Sequence, residues 1–334
     1  MNPVDTSAHK YSVVVGVYSF IFAATTVSFL ATLLTFRIIH VLPRKRRSEI
    51  PKSMWIYLGS MIILNLAMLQ HSACMTIMWA VSSKFHYIGF YITGLIDHCL
   101  LPAIPASVFF LTFDRCLIVA LKSSWTDKRR TILAAVNIAV MVILAIPNLV
   151  LPLLYRYYSV PPGCVAFACL QLNASRVTYT ATKILTIVLN VIVGIAFLVL
   201  VYIFYRSHEG FSKHTSFSGK MGEQMILRIL IFEALFDLIP HIVDMTWISV
   251  TGFTPFVNFG PYSRVIVSVD NILTSVTNLY AFYVMYKKTR IVGMTASEIM
   301  TNIISGKDNG ANVVIVGGPG TSQHTNHCHY PVKK

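Results

Sequence analysis

Long apolar stretches recur along the chain and alternate with short polar connections. A membrane-spanning α-helix needs about 20 mostly apolar residues. Seven stretches meet this requirement, at roughly 13–39, 54–80, 88–113, 131–153, 179–205, 225–250 and 262–286. The third stays apolar as far as about Leu121. The pattern predicts an all-α membrane protein built as a seven-transmembrane helix bundle.

Polar sequence flanks the predicted bundle at both ends. Residues 1–12 form a short N-terminus without the basic region that opens a signal peptide. Residues 287–334 form a polar tail, and we expect it to be largely disordered after about residue 305 because its composition lacks a sustained apolar pattern. The predicted organisation is one domain, residues 13–286, between two polar ends.

Composition supports a membrane solvent. The chain has 334 residues, of which 55% are hydrophobic and 12% are charged, whereas soluble domains carry about 25% charged residues. The length alone would suggest about two soluble domains. A single polytopic membrane domain explains length and composition together.

The basic residues predict an orientation. The formal net charge is +14, and most of the 27 Lys and Arg residues lie in segments 37–53, 115–130, 206–228 and the tail. Cytoplasmic loops of membrane proteins are enriched in these residues, so we expect the N-terminus outside and the C-terminus in the cytoplasm. Bases spread over four segments indicate a solvated cytoplasmic face in contact with lipid, and no nucleic-acid partner.

The loop between the fourth and fifth spans falls on the predicted outer side. It contains the sequon Asn173-Ala174-Ser175, a candidate glycosylation site. Cys164 and Cys169 lie in the same loop, on the oxidising side of the membrane. Six cysteines in the whole chain are too few for a disulfide scaffold.

Ionisable residues inside membrane spans are costly and usually face the bundle interior. Glu233, Asp237, Pro240 and Asp244 in the sixth span share one helical face, and the seventh span carries a polar stripe that includes Asp270 and Asn278. We expect an internal polar seam formed by Gln70, Glu233, Asp237 and Asn278. The commoner role of such a seam is hydrogen bonding between helices; a ligand pocket with a switch, or an ion path, are the alternatives.

The third span carries Asp97, eighteen residues before Arg115. At 3.6 residues per turn this is about five turns, so both residues share a face of the helix. Pro102 and Pro105 predict a kink between them. The fifth span carries Lys183, the single lysine within the predicted spans. The candidate ligand-pocket residues are therefore Asp97, Asp244, Asp270 and Lys183.

Three motifs resemble landmarks of rhodopsin-like G-protein-coupled receptors. Asp114-Arg115-Cys116 resembles the Asp/Glu-Arg-Tyr motif, and Asn65-Leu66-Ala67-Met68-Leu69-Gln70 resembles Asn-Leu-Ala-x-x-Asp, with Gln70 in place of the acid. Asn278-Leu279-Tyr280-Ala281-Phe282-Tyr283 resembles Asn-Pro-x-x-Tyr without its proline. The partial match is typical of the divergent nematode serpentine chemosensory receptors, and no subfamily is assigned.

The resemblance implies a function. Asp114 and Arg115 would form the G-protein switch, the arginine being held at rest by its neighbouring acid. A small-molecule ligand would bind in the outer half of the bundle, and a heterotrimeric G protein would bind at the cytoplasmic face. The receptor would serve sensory perception, such as olfaction, at the plasma membrane, with a sensory cilium as one candidate location. Lacking the family's usual disulfide, the chain would pair Cys164 with Cys169.

Other functions have weaker support. The seventh span has no lysine to hold retinal, and the chain contains no HExxH, GxSxG or GxxxxGK[ST] motif. We therefore expect no enzyme activity, no cofactor and no metal site. The alternative function is a seven-span transporter or channel that uses the acids of the sixth span.

Overall fold

The computed structural model describes residues 6–81, 87–121, 124–155, 167–207, 217–251 and 262–304. Within these ranges the chain is helical except for short connections. The helices are α1 (Thr6–Val41), α2 (Arg44–Ser48), α3 (Lys52–Val81), α4 (Tyr87–Leu100), α5 (Ala103–Leu121), α6 (Asp127–Leu154), α7 (Asn173–Ser207), α8 (Phe217–Glu233), α9 (Ile239–Thr251) and α10 (Tyr262–Ile304). The all-helical prediction is confirmed.

Among the described residues, six helical segments are long and apolar enough to cross a membrane. They are Ser12–Val41, Lys52–Ala80, Ile88–Leu121, Asp127–Leu154, Ala174–Phe204 and Tyr262–Arg290. Large apolar side chains cover their outer surfaces: Ile143 on α6 is 63% exposed and Ile195 on α7 is 59% exposed. Apolar surface of this extent requires a lipid solvent, so the chain is a helical membrane protein.

The predicted sixth span, 225–250, is helical but is divided into pieces. A π-helical segment, Ala234–Leu238, separates α8 from α9. This segment contains Asp237 and directly follows Glu233, and a π-bulge of this kind is frequent at functional sites. The interruption and the acids keep this region from qualifying as a seventh uninterrupted apolar span, so seven spans remain a prediction.

The third span breaks where its prolines predict. α4 ends at Leu100, Leu101 and Pro102 form a turn, and α5 begins at Ala103. Proline has no N–H for the helical ladder, and its ring clashes with the preceding turn. Pro105 is accommodated in the first turn of α5, where a missing N–H costs little. The break separates Asp97 on α4 from Asp114 on α5.

Three helices extend well beyond their predicted spans. α1 begins at Thr6, before the predicted start at residue 13, and α7 begins at Asn173, before the predicted start at residue 179. α10 continues past residue 286 to Ile304. The chain divides into two units, Met1–Lys288 and Thr289–Lys334. Residues 305–334, predicted to be disordered, lie outside the described residues.

Small hydroxyl side chains join the first and last helices of the bundle. Ser28 Oγ donates to the Asn271 backbone carbonyl at 3.0 Å and lies at hydrogen-bond distance, 2.8 Å, from Ser275 Oγ. Thr32 hydrogen-bonds to Ser275 at 3.0 Å. Such short side chains let two helices approach closely inside a membrane. This contact fixes the position of α10, which carries the seam residues Asp270 and Asn278.

Candidate functional site

A buried ion pair joins α4 to α10. The Arg264 guanidinium donates to Asp97 Oδ2, and Asp97 is 1% exposed. Asp97 lies in the last turn of α4, just before the proline break, while Arg264 lies in the first turn of α10. Tyr18 on α1 interacts electrostatically with both members of the pair. The predicted ligand residue Asp97 is thus already neutralised by an arginine.

A second buried ion pair joins α7 to the π-helical segment. Lys183 Nζ lies 2.5 Å from Asp237 Oδ1, and the two side chains are 4% and 9% exposed. Lys183 lies well inside α7, which begins at Asn173. Intramembrane ions are expected to be paired in this way.

Two further acids adjoin this second pair. Glu233 and Asp270 interact electrostatically with each other and with Asp237 and Lys183. Lys183 also interacts with Asp97, which connects the two ion pairs. In the described part of the chain the resulting network, here called the buried charge network, contains two bases and four acids: Arg264, Lys183, Asp97, Asp237, Glu233 and Asp270. Carboxyl groups outnumber bases, so the network has room for a proton or a hydrogen-bond donor.

Two buried polar atoms next to the first pair lack partners within the described residues. They are Asp97 Oδ1 and His98 Nε2. The His98 ring stacks on Tyr179 of α7 with ring centroids 4.0 Å apart and contacts Phe167 at 5.4 Å. A buried polar atom without a partner is costly, so this position favours binding of a small polar group.

The segment before α7 packs onto α4. Residues Phe167–Leu170 form a 3₁₀ turn, and the Phe167 ring lies over Gly94 and against Tyr91. A Cβ added at Gly94 would lie 2.5 Å from Phe167 Cδ2. Glycine is therefore required for this close approach, which holds Phe167 beside His98.

Asp114 lies at the end of the bundle opposite the Asp97–Arg264 pair. Its Oδ2 accepts a 2.9 Å hydrogen bond from Ser53 Oγ at the start of α3, and its Oδ1 accepts one of 2.9 Å from Trp125 Nε1. The family resemblance implies that Asp114 holds Arg115. In the structure both carboxylate oxygens instead accept hydrogen bonds from α3 and from the connection before α6.

Bases lie at the same end of the bundle, here called the Asp114 end. Arg115 is half-buried there. Lys52 bonds to Asp127 at 3.0 Å and to Thr131 at 2.6 Å, linking α3 to α6. The short helix α2 has the sequence Arg-Lys-Arg-Arg-Ser. The Asp114 end therefore combines a buried acid with a basic surface.

The remaining predicted residues differ in their outcomes. Asn278 is buried, as expected of the seam. The prediction that Gln70 belongs to the seam is wrong, because its side chain is exposed on the lipid-facing side of α3. Its neighbour His71 is buried instead and forms a 3.2 Å hydrogen bond with Thr93. The side chain of Asp244 lies outside the described residues.

The structure describes only part of the predicted disulfide and of the predicted glycosylation site. Cys169 is disulfide-bonded, but Cys164, its predicted partner, lies outside the described residues, so the pairing stays a prediction. Asn173 begins α7, and its side chain also lies outside the described residues. Glycosylation there stays a prediction.

Sequence reasoning missed three important partners: Arg264, Ser53 and Trp125. Arg264 lies at the start of the seventh predicted span, where no partner was predicted for it. A signal was present, because an ionisable residue inside a span is usually paired, and Asp97 in the third span had no predicted base. Ser53 and Trp125 carry no such signal, since serine and tryptophan are common at membrane interfaces.

No protein-family model matches the chain, and a comparison with curated proteins found no match.

Proposed function

We propose that the chain is a G-protein-coupled chemosensory receptor of the plasma membrane, with a sensory cilium as one candidate location. Its N-terminus would lie outside and its C-terminus in the cytoplasm. The observation that carries the proposal is the separation of two polar sites along one bundle. The buried charge network lies towards one end, and the Asp114–Arg115 motif with its basic surroundings lies at the other.

The proposed ligand site is the part of the network around Asp97, His98 and Arg264. A small molecule that contacts Asp97 or Arg264 competes directly with the ion pair that joins α4 to α10. Signalling requires that the ligand bind one conformation more tightly than the other. Breaking an interhelical ion pair provides that difference, because the pair exists only in one arrangement of the helices.

The proposed G-protein site is the Asp114 end. The basic residues there match the enrichment of cytoplasmic loops in Lys and Arg. Ser53 and Trp125 hold Asp114 at rest. Release of these bonds would free the segment of α5 that carries Arg115 to receive the heterotrimeric G protein.

The test is a G-protein activation assay in cells that express the full chain and are exposed to a panel of small volatile and water-soluble compounds. Arg115→Ala is expected to abolish any response that the unaltered chain gives, at equal surface expression. Ile143→Val, on the lipid-facing surface of α6 and away from both proposed sites, is the matched control and should leave the response intact. A response that survives Arg115→Ala unchanged would contradict the proposal.

A second candidate function has its own observation in support. Acids and bases deep in a membrane bundle also form proton and ion paths, and the buried charge network contains more acids than bases. If the chain is a transporter or channel, Asp237→Asn abolishes an ion current that Arg115→Ala leaves unchanged. Electrical recording of both variants separates the two functions.

A further inference from the structure

A cavity of about 200 Å³ lies between α7 and the junction of α8 with the π-helical segment. Apolar side chains form most of its wall, and the polar groups of its lining come from two residues, Asn190 and Glu233. Gly194 contributes the floor on the α7 side and faces Leu230, whose nearest atom would lie 3.4 Å from an added Cβ. A side chain at this position would therefore extend towards Leu230 and occupy part of the cavity.

The cavity opens sideways from the bundle. Ile195 and Ile231 at its rim are 59% and 46% exposed, in the apolar surface that faces lipid. A molecule dissolved in the bilayer can thus enter without crossing water. The volume of the cavity lies below the roughly 300–1,000 Å³ of pockets for drug-sized ligands. The shape and lining fit a short alkyl chain.

Both polar residues of the cavity present hydrogen-bond acceptors. Glu233 is 8% exposed, and within the described residues no hydrogen bond reaches its carboxyl group. Asn190 donates through Nδ2 to the Pro105 carbonyl at 2.9 Å, which assigns its other amide atom as oxygen. That oxygen, Oδ1, has no partner in the same part of the chain. The buried and unpartnered Asn190 Oδ1, beside the Glu233 carboxyl group, is a costly arrangement that a donating ligand relieves.

The surrounding charge favours a donor that is positive. Glu233 interacts electrostatically with Asp237 and Asp270, which are acids, and with one base, Lys183. Lys183 is already paired with Asp237. A protonated amine beside Glu233 supplies both the missing hydrogen bonds and the missing positive charge, whereas a carboxylate would add repulsion.

We propose that this cavity is a lateral binding site for a short-chain alkylamine, which enters from the bilayer and donates hydrogen bonds to Glu233 and Asn190. The site is distinct from the ligand region around Asp97 and does not depend on coupling to a G protein. An occupant would lie between α7 and the π-helical segment, beside the Lys183–Asp237 pair. It would therefore hold these two elements at a fixed separation.

The experiment is photolabelling of the purified full-length chain in lipid nanodiscs, with a short-chain alkylamine that carries a diazirine on its chain. Labelled peptides are located by mass spectrometry. We expect saturable labelling within 187–198 and 227–234, and at least tenfold less labelling when an excess of the amine without diazirine is added. The alkylcarboxylic acid of the same length, with the same diazirine, should label these peptides at least tenfold less.

Two variants test the chemistry and the space separately. Glu233→Gln removes the charge at nearly constant size and should reduce specific labelling at least tenfold. Gly194→Leu fills the cavity but leaves the Glu233 carboxyl group in place. This variant should reduce specific labelling to a similar extent. Ile143→Val, on the lipid-facing surface of α6, is the matched control and should label normally.

Three outcomes would overturn the proposal: equal labelling by the acid probe, labelling of α6 to the same extent as α7, or failure of unlabelled amine to compete. The first indicates that bilayer acyl chains occupy the cavity without head-group recognition. The others indicate simple partition into lipid. All three are measured on the unaltered chain, so the result does not depend on the folding of any variant.

Discussion

Lys183 Nζ lies 2.5 Å from Asp237 Oδ1, with both side chains buried. The two residues come from α7 and the π-helical segment, so their ion pair connects adjacent membrane helices where the helical ladder is irregular. Removal of one partner from a buried pair leaves an uncompensated charge. The pair is therefore the most sensitive point of the contact between these elements.

Lys183→Met is expected to reduce stability by about 3–5 kcal/mol, as for other buried pairs that lose one partner. Replacement of both partners, Lys183→Met with Asp237→Leu, should recover much of the loss, because no isolated charge remains. Thermal unfolding in detergent of the two single variants and the double variant gives the interaction energy. A double variant that equals the sum of the single effects would show that the residues act independently.

The exposed pair Lys52–Asp127 provides the matched control. Its atoms are 3.0 Å apart, but the side chains are 43% and 80% exposed. Exposed pairs contribute about 0–1 kcal/mol because water screens them. Asp127→Asn should therefore shift the unfolding temperature much less than Lys183→Met does.

Arg264→Gln is expected to raise ligand-independent G-protein activation several-fold if the proposed function is correct. The variant breaks the contact between α4 and α10 that the ligand would compete for. Asp97→Asn breaks the same contact from the other side and should change basal activity in the same direction. Arg264→Lys retains the charge and should give an intermediate value. Opposite effects of Arg264→Gln and Asp97→Asn in a G-protein dissociation assay would contradict this role.

If the proposed function is correct, Ser53→Ala and Trp125→Phe are each expected to raise basal signalling in a G-protein dissociation assay. Each removes one hydrogen bond to the Asp114 carboxylate, and a hydrogen bond to a charged group contributes about 1.5–3 kcal/mol. Ser124→Ala removes an exposed hydroxyl that bonds to the Leu121 carbonyl, and it should leave basal signalling unchanged.

The helices were predictable from sequence because the period and length of the apolar stretches decide where the chain can cross a membrane. The break in the third span was also predictable, since Pro102 and Pro105 lack the N–H that a continuous helix requires. The π-helical segment was not. Its extra residue per turn depends on how Asp237 reaches Lys183 on another helix, and that contact has no local signature.

The sequence predicted which charged residues belong to the candidate site, but it did not predict which of them form ion pairs with each other. Asp97, Lys183, Glu233 and Asp237 are conspicuous as charges within apolar stretches, and the structure buries them. Their partners depend on the orientation of each helix about its own axis, which decides the face that it turns towards its neighbours. The same uncertainty explains Gln70: it follows the family motif in sequence, yet the rotation of α3 exposes it and buries His71.

Gly94→Ala is expected to destabilise the protein by about 1–3 kcal/mol, as overpacking of a dense contact does. The added methyl group would lie 2.5 Å from Phe167 Cδ2 and 2.7 Å from Cγ, so the 3₁₀ turn that carries Phe167 must move away from α4. Gly59→Ala is the matched control, because a Cβ at this helical glycine meets nothing within 4 Å. It should be neutral or slightly stabilising, since alanine is the better helix former. Thermal unfolding in detergent measures both variants, and equal unfolding temperatures would show that Phe167 does not rest on Gly94. The displaced ring should also free His98, which contacts Phe167 at 5.4 Å, and increase its reactivity towards an imidazole-modifying reagent.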